Sequence, residues 1–202
     1  KEAWERSLEM LKKLGIPAAE KRIHDYPHQL SGGMKQRAII AIAMICNPEL
    51  LVADESTTAL DVTIQAQIME LMKSLQTEFH KSLIIITHNM GLVAEMADEV
   101  CVMYMGRVVE HGSLEQVFRT PSHPYTRALL RSVPVMGMKE DAELVTIRGN
   151  TPNPAELGPS CEFADRCDEC TDRCRAADVP ICETAPGHRV RCAKFDRFPE
   201  VK

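Results

Sequence analysis

Leu50-Leu51-Val52-Ala53-Asp54-Glu55-Ser56-Thr57-Thr58-Ala59-Leu60-Asp61 is the stretch whose reading decides the fold of this chain. Its first four residues are apolar without interruption, the pattern of a parallel strand buried on both faces, and two carboxylates stand where that strand ends. A polar turn follows, and a helix is predicted from about Val62 to Phe79. Ser82-Leu83-Ile84-Ile85-Ile86-Thr87 then repeats the buried-strand pattern and runs into His88, thirty-three residues beyond Glu55. Parallel strands gather their C-terminal ends along one sheet edge, so His88 can reach a phosphate held beside Asp54 and Glu55. One of those carboxylates can hold Mg²⁺ through its water shell while its neighbour polarises an attacking water, as phosphoryl transfer to water requires. Alone, an Asp-Glu pair is as readily two surface acids, and a single histidine is more often structural.

Upstream, Leu30-Ser31-Gly32-Gly33-Met34-Lys35-Gln36-Arg37 joins a serine cap, two glycines and the start of a helix. Such a terminus offers unpaired N–H groups, partial positive charge and no obstructing side chain, so a phosphate can approach the backbone; plain capping is the simpler reading of these residues alone. The helix is predicted to carry an apolar face of Ile39, Ile42, Ala43 and Cys46 and to end near Pro48. Trp4, Leu8 and Leu11 recur at helical spacing before the stop signals Gly15 and Pro17.

Downstream, Met90–Ala97 reads as helix, and the segments 100–106 and 107–112 as two strands joined at Gly106 and Arg107. Short helices are predicted at about Leu114–Phe118 and over residues 125–133. Alternating strands and helices imply an α/β architecture with a parallel core. Beyond Pro134 periodicity fades and Pro and Cys accumulate, so a boundary is placed between about residues 120 and 135, separating 1–120 from 121–202.

Hydrophobic residues make up 45% and the formal net charge is -5 with both signs interspersed, which leaves no basic stripe for nucleic acid. There is no apolar run of 18 residues, and the opening KEAWERSLEM looks like an amphipathic helix rather than a signal peptide. Six of the 8 cysteines fall in the last 42 residues, while Cys46 and Cys101 sit in apolar runs and are expected to be small core residues.

LSGGMKQR, LLVADESTTALD and IIITH, in this order and spacing, resemble the signature motif, the Walker B strand with its D-loop, and the switch histidine of ABC-type ATPases. The resemblance implies a partial ABC-type P-loop ATPase fold, with a helical subdomain plus parallel-sheet core. It also implies that Ser31, Gly32 and Gly33 contact the γ-phosphate of ATP bound on a partner subunit. Asp54 would serve Mg²⁺, Glu55 would be the general base, His88 would sense the γ-phosphate, and Asp61 would communicate across the dimer. Tyr26-Pro27-His28, Met34 and the run ALDVTIQAQI resemble the dipeptide and oligopeptide importers and their nickel-importing relatives. Pro121-Ser122-His123-Pro124-Tyr125-Thr126 resembles the His-Pro-Tyr motif that opens the C-terminal extension of that group; physically it is a turn into a helix that starts at Pro124.

Cys161, Cys167, Cys174 and Cys192, with five, six and seventeen residues between them, match the cysteine pattern of that extension, which implies a [4Fe-4S] cluster. Cys167-x-x-Cys170 could equally begin a zinc site, with Cys170 competing with Cys174 as ligand, and free or oxidised thiols are the third reading. The implied partners are a second, related ATP-binding subunit, two transmembrane permeases and an extracytoplasmic substrate-binding protein, with the chain peripheral at the cytoplasmic face of the plasma membrane. No G-x-x-x-x-G-K-[ST] loop and no glutamine loop occur, and the chain starts at Lys1 in what reads as mid-helix. These features lead to the expectation of a C-terminal fragment that hydrolyses no ATP alone. ABC-type ATPases of DNA repair or of ribosomes are a rival class, set apart by heptad insertions or basic linkers that this chain lacks; a truncated, non-catalytic remnant is another.

Overall fold

A computed structural model describes residues 1–55, 61–133, 146–156, 158–197 and 200. It forms two compact units, Lys1–His88 and Asn89–Lys202.

The first unit opens with α1 (Glu2–Lys13) and a single-turn α2 (Ala19–Arg22), followed by a 3-10 turn at Pro27–Gln29. α3 (Gly32–Met44) starts at the predicted cap: the Ser31 hydroxyl accepts from the Met34 N–H at 3.3 Å. Its buried side, however, is Ile40, Ala41 and Met44, whereas Ile39 and Ile42 are 58% and 75% exposed and Cys46 is exposed too. The buried face meets α1, where the Arg37 guanidinium donates to the Leu14 carbonyl at the C-terminal end of that helix, so residues 37, 40, 41 and 44 lie on the inward side and the predicted face turns outward.

β1 (Leu50–Asp54) and β2 (Ser82–Ile86) pair in parallel, with Val52 opposite Ile84 and Asp54 opposite Ile86. The expected burial on both faces is met on one only. Ala53 is buried and Leu51, Leu83 and Ile85 are half-buried, while Leu50, Val52, Ile84 and Ile86 on the other face remain 47–52% exposed. The described helices of this unit thus cover a single face of the two-stranded sheet. α4 (Val62–Phe79) agrees with the sequence in both bounds, and its buried Ile68, Met72 and Leu75 recur at helical spacing. Its start is held by the Asp61 carboxylate, which accepts from the Ile64 N–H at 2.9 Å, and its end by His80 in the left-handed conformation, φ 50°.

The second unit begins with α5 (Met90–Met96), capped by the Asn89 side chain. β3 (Glu99–Tyr104) and β4 (Arg107–Ser113) form an antiparallel hairpin whose turn is Met105 and Gly106, at φ 49° and 77°. Two successive positive φ values match the right-handed twist of the flanking strands. Along β3 burial alternates, with Val100, Val102 and Tyr104 inward; Cys101 therefore faces outward and is exposed, against expectation. α6 (Leu114–Arg119) is closed by a capping box between Ser113 and Gln116. α7 (Pro124–Arg131) begins at the predicted proline.

The Cys-rich tail carries α8 (Asp172–Ala176) and two short strands, β5 (Cys182–Ala185) and β6 (His188–Val190). β6 pairs with β4 through Glu110–Val190 and His111–Arg189, giving one antiparallel sheet in the order β3-β4-β6-β5. In packing terms the tail therefore continues the sheet of the β3–β4 hairpin. Val100, Val102, Tyr104, Val109, Val117, Phe163 and Cys167 form a shared core.

Candidate nucleotide site and cysteine cluster

The parallel register brings the two ends that matter together. Asp54 closes β1 opposite Ile86, the Glu55 N–H donates to the Ile86 carbonyl at 2.9 Å, and His88 follows two residues later. Glu55 adopts φ 43°, which turns the chain out of the strand as it leaves the sheet. From that position Glu55 Oε1 lies 3.3 Å from His88 Nδ1, with the side chains 52% and 79% exposed. Both groups are thus open to solvent and to a ligand, and a carboxylate held by an imidazole beside a second carboxylate is a workable arrangement for activating water.

Ser31, Gly32 and Gly33 stand at the N-terminus of α3, and Asp61 at that of α4. The serine hydroxyl already accepts from Met34, so the bonding expected of plain capping is present. Asp61 likewise caps its helix, a structural task that the motif reading did not foresee although an acid just before a helical run is its usual signal. Ser56–Leu60 lie outside the described residues.

The four cysteines singled out in the tail converge. Cys167, Cys174 and Cys192 are buried, Cys161 is half-buried, and the Cys161 N–H donates to the Cys174 carbonyl at 2.9 Å. Burial, and after it the nearby thiols of Cys174 and Cys192, pushes Cys161 up to about 11. Burial raises Cys167 and Cys192 as well, with nearby thiols, Cys174 among them, a lesser cause in each case. Cys170 joins this group through Cys174, whereas Cys182 faces Asp196 and Glu200. All eight cysteines are free thiols. Among the described residues, however, no three His, Cys, Asp or Glu side chains are arranged to hold a metal ion, so the expected ligand geometry is not formed here. The donor set fits a thiophilic metal and its spacing does not.

A second polar centre was invisible in the sequence. Glu110 on β4 is fully buried and accepts from the Ser122 N–H at 2.7 Å, the His123 N–H at 2.9 Å and His188 Nε2 at 2.7 Å. His123 is buried in turn, and its Nδ1 accepts from the Tyr125 N–H at 3.0 Å. Burial, with the positive charge of Arg127 second, lowers His123 to about 4, so its ring is neutral at ordinary pH. Tyr125 packs against Tyr104 and Phe163 at ring distances of 4.7 and 5.4 Å. The His-Pro-Tyr segment is thus a packing hub joining β4, β6 and the Cys-rich tail. Nothing in a linear reading pairs Glu110 with His188, which lies 78 residues away.

Comparison with known proteins agrees with both motif sets. Residues 2–58 match the ABC transporter family, and residues 109–174 match the oligopeptide/dipeptide transporter C-terminal region. The oligopeptide transport ATP-binding protein AppD of Bacillus subtilis is 48% identical over 97% of this chain and 60% of its own length. OppD of Salmonella typhimurium is 48% identical over 96% of this chain and 57% of its own length. A Brucella melitensis protein named provisionally as a peptide import ATP-binding protein is 52% identical over 98% of this chain and 60% of its own length. The chain therefore spans about three fifths of these relatives, 60% in two of them. Among solved structures, MJ1267, an ATP-binding cassette of an ABC transporter in its ADP conformation, superposes with a TM-score of 0.51 at 23% identity over 60% of this chain and 48% of its own, a likeness of fold. No helix among the described residues is long and apolar enough to cross a membrane. With cassette and extension matched in this order, and about half the residues shared across nearly its whole length, the chain is similar to the ATP-binding subunits of oligopeptide/dipeptide ABC transporters over about three fifths of their length.

Proposed function

We propose that this chain supplies the signature helix, the base and the switch histidine of an ATPase subunit that drives import of peptides through an ABC transporter. The observation that carries the reading is the Glu55–His88 contact of 3.3 Å beside Asp54 at the C-terminal edge of a parallel strand pair. In this reading Asp54 holds Mg²⁺, Glu55 accepts the proton of the attacking water, and His88 orients Glu55 and meets the γ-phosphate. Ser31, Gly32 and Gly33 meet ATP held by a second, related ATP-binding subunit, and Asp61 faces the same interface. Two transmembrane permeases and an extracytoplasmic substrate-binding protein complete the assembly, with this chain peripheral at the cytoplasmic face of the membrane. Residues 1–120 serve nucleotide chemistry, and 121–202 form the extension, a division of tasks rather than of packing.

A [4Fe-4S] cluster on Cys161, Cys167, Cys174 and Cys192 belongs to the same proposal, with zinc as the alternative; the support is the thiol donor set alone, four free cysteines of which three are buried. When bound, such a group would cross-link the tail, and no step of hydrolysis passes through it.

The test is a chimaera that joins this chain to the part of B. subtilis AppD it does not span, assayed for MgATP turnover with its permeases. Glu55→Gln should lower kcat by about 100-fold or more, as loss of a general base does, with nucleotide binding retained. Undiminished turnover would remove Glu55 from the mechanism.

A further inference from the structure

Gly33 is the innermost glycine of the α3 terminus, and a side chain from another helix fills the space beside it. A Cβ added at Gly33 would stand 3.1 Å from Cγ2 and 3.6 Å from Cδ1 of Ile64. Carbon atoms prefer roughly 3.5–4.0 Å, so a methyl group at this position would have to push the Ile64 side chain back by a few tenths of an ångström. Ile64 is also the residue whose N–H the Asp61 carboxylate holds, at 2.9 Å. The Asp61 carboxylate holds the Ile64 backbone, and the Ile64 γ-methyl in turn occupies the space beside the Gly33 backbone. Little slack exists along this route, because a β-branched side chain in a helix keeps one strongly preferred χ1. One turn further along the same face, α3 is tethered by Arg37 to the Leu14 carbonyl of α1. The signature terminus is thus seated on one face against both the Arg37 tether and the Ile64 side chain that Asp61 holds.

We propose that Ile64 is a positioning residue for the phosphate-facing backbone of Ser31–Gly33, coupling the placement of Asp61 to the height at which Gly33 meets the nucleotide. The proposal rests on the ATPase reading above. Ile64 does not touch the ligand; its γ2-methyl braces the backbone that does. Without that brace the α3 terminus can sink toward α4, and its N–H groups lose aim at a phosphate bound on the partner subunit.

The AppD chimaera provides the test, with Ile64→Ala and Ile64→Val. Three quantities are measured: nucleotide affinity of the isolated subunit, association driven by a non-hydrolysable ATP analogue, and kcat with KM for MgATP. Ile64→Ala should weaken nucleotide-driven association and kcat/KM by about tenfold. Affinity of the isolated subunit should stay within about twofold, because its own nucleotide is gripped elsewhere. Ile64→Val keeps Cγ2 and should restore association to near the parent. Parent-like association in Ile64→Ala overturns the proposal, and so does a parallel loss of isolated-subunit affinity, which would mark general unfolding. A parent chimaera that turns over no MgATP overturns the ATPase reading itself, and with it the site that Ile64 would position.

Discussion

Glu110→Ala should destabilise the second unit by about 3–5 kcal/mol, the cost of removing one partner from a buried, hydrogen-bonded charged centre. The carboxylate is fully buried and receives three donors within 2.9 Å: two backbone N–H groups from Ser122 and His123, and His188 Nε2. Alanine leaves all three facing a space that water does not reach, and each orphaned donor costs roughly 1–3 kcal/mol before the site relaxes. Glu110→Gln keeps the shape and one acceptor but turns an NH₂ toward a donor, so a loss of roughly 2 kcal/mol is expected. Unfolding in urea separates the units by their chromophores. The single tryptophan, Trp4, reports the first, while the packed pair Tyr104 and Tyr125 reports the second in the near-ultraviolet. The tyrosine transition should fall by roughly 12 °C or more in a thermal scan, at about 4–8 °C per kcal/mol for a unit of this size, and the Trp4 transition should hold. Glu99→Ala, which removes an exposed carboxylate 3.5 Å from His111, is the control and should change stability by about 0.5 kcal/mol or less. A Glu110→Ala loss under about 1 kcal/mol would refute the reasoning, because three buried donors would then have found other partners.

His123 gives a pH dependence whose sign follows from its lowered value of about 4 against an ordinary 6.5. Between those values the unfolded chain binds a proton that the folded chain refuses, so stability is full above about pH 6.5 and falls by roughly 3 kcal/mol as pH drops to about 4. His123→Asn can still accept from the Tyr125 N–H without titrating, and its urea midpoint should fall less over that window; an identical pH profile would remove His123 as the cause. In the tail, anaerobic purification should yield iron and sulfide in a stoichiometry lost on Cys174→Ser, and zinc without sulfide would reverse the cluster assignment. Arg37→Met should cost about 1–3 kcal/mol in the Trp4 transition by orphaning the Leu14 carbonyl, and an unchanged midpoint would deny the tether.

The elements with strong local signals were legible from the chain alone. Ser31 as cap, Val62–Phe79 as helix, Pro124 as a helix start and the hairpin turn near Gly106 each depend on a few adjacent residues and their backbone preferences, so no distant partner can overrule them. The order of strand ends also placed Glu55 and His88 at one edge, because parallel pairing leaves no other arrangement of two C-terminal ends. What the sequence could not decide was which side of an element faces inward. From Ala38 onward α3 is apolar all round, and packing against α1, with Arg37 bonded to Leu14 23 residues away, turned Ile40 and Met44 inward rather than Ile39 and Ile42. Burial of Cys101 failed in the same way, since strand alternation is set by neighbours on the sheet and not by the apolar content of the run. The Glu110–His188 centre, the pairing of β6 with β4 and the packing of Ile64 beside Gly33 join residues from 31 to 80 positions apart. Such contacts exist only once the chain has folded, because a buried polar group or a tight glycine contact is defined by what surrounds it in space, and the linear sequence carries no signal of that proximity.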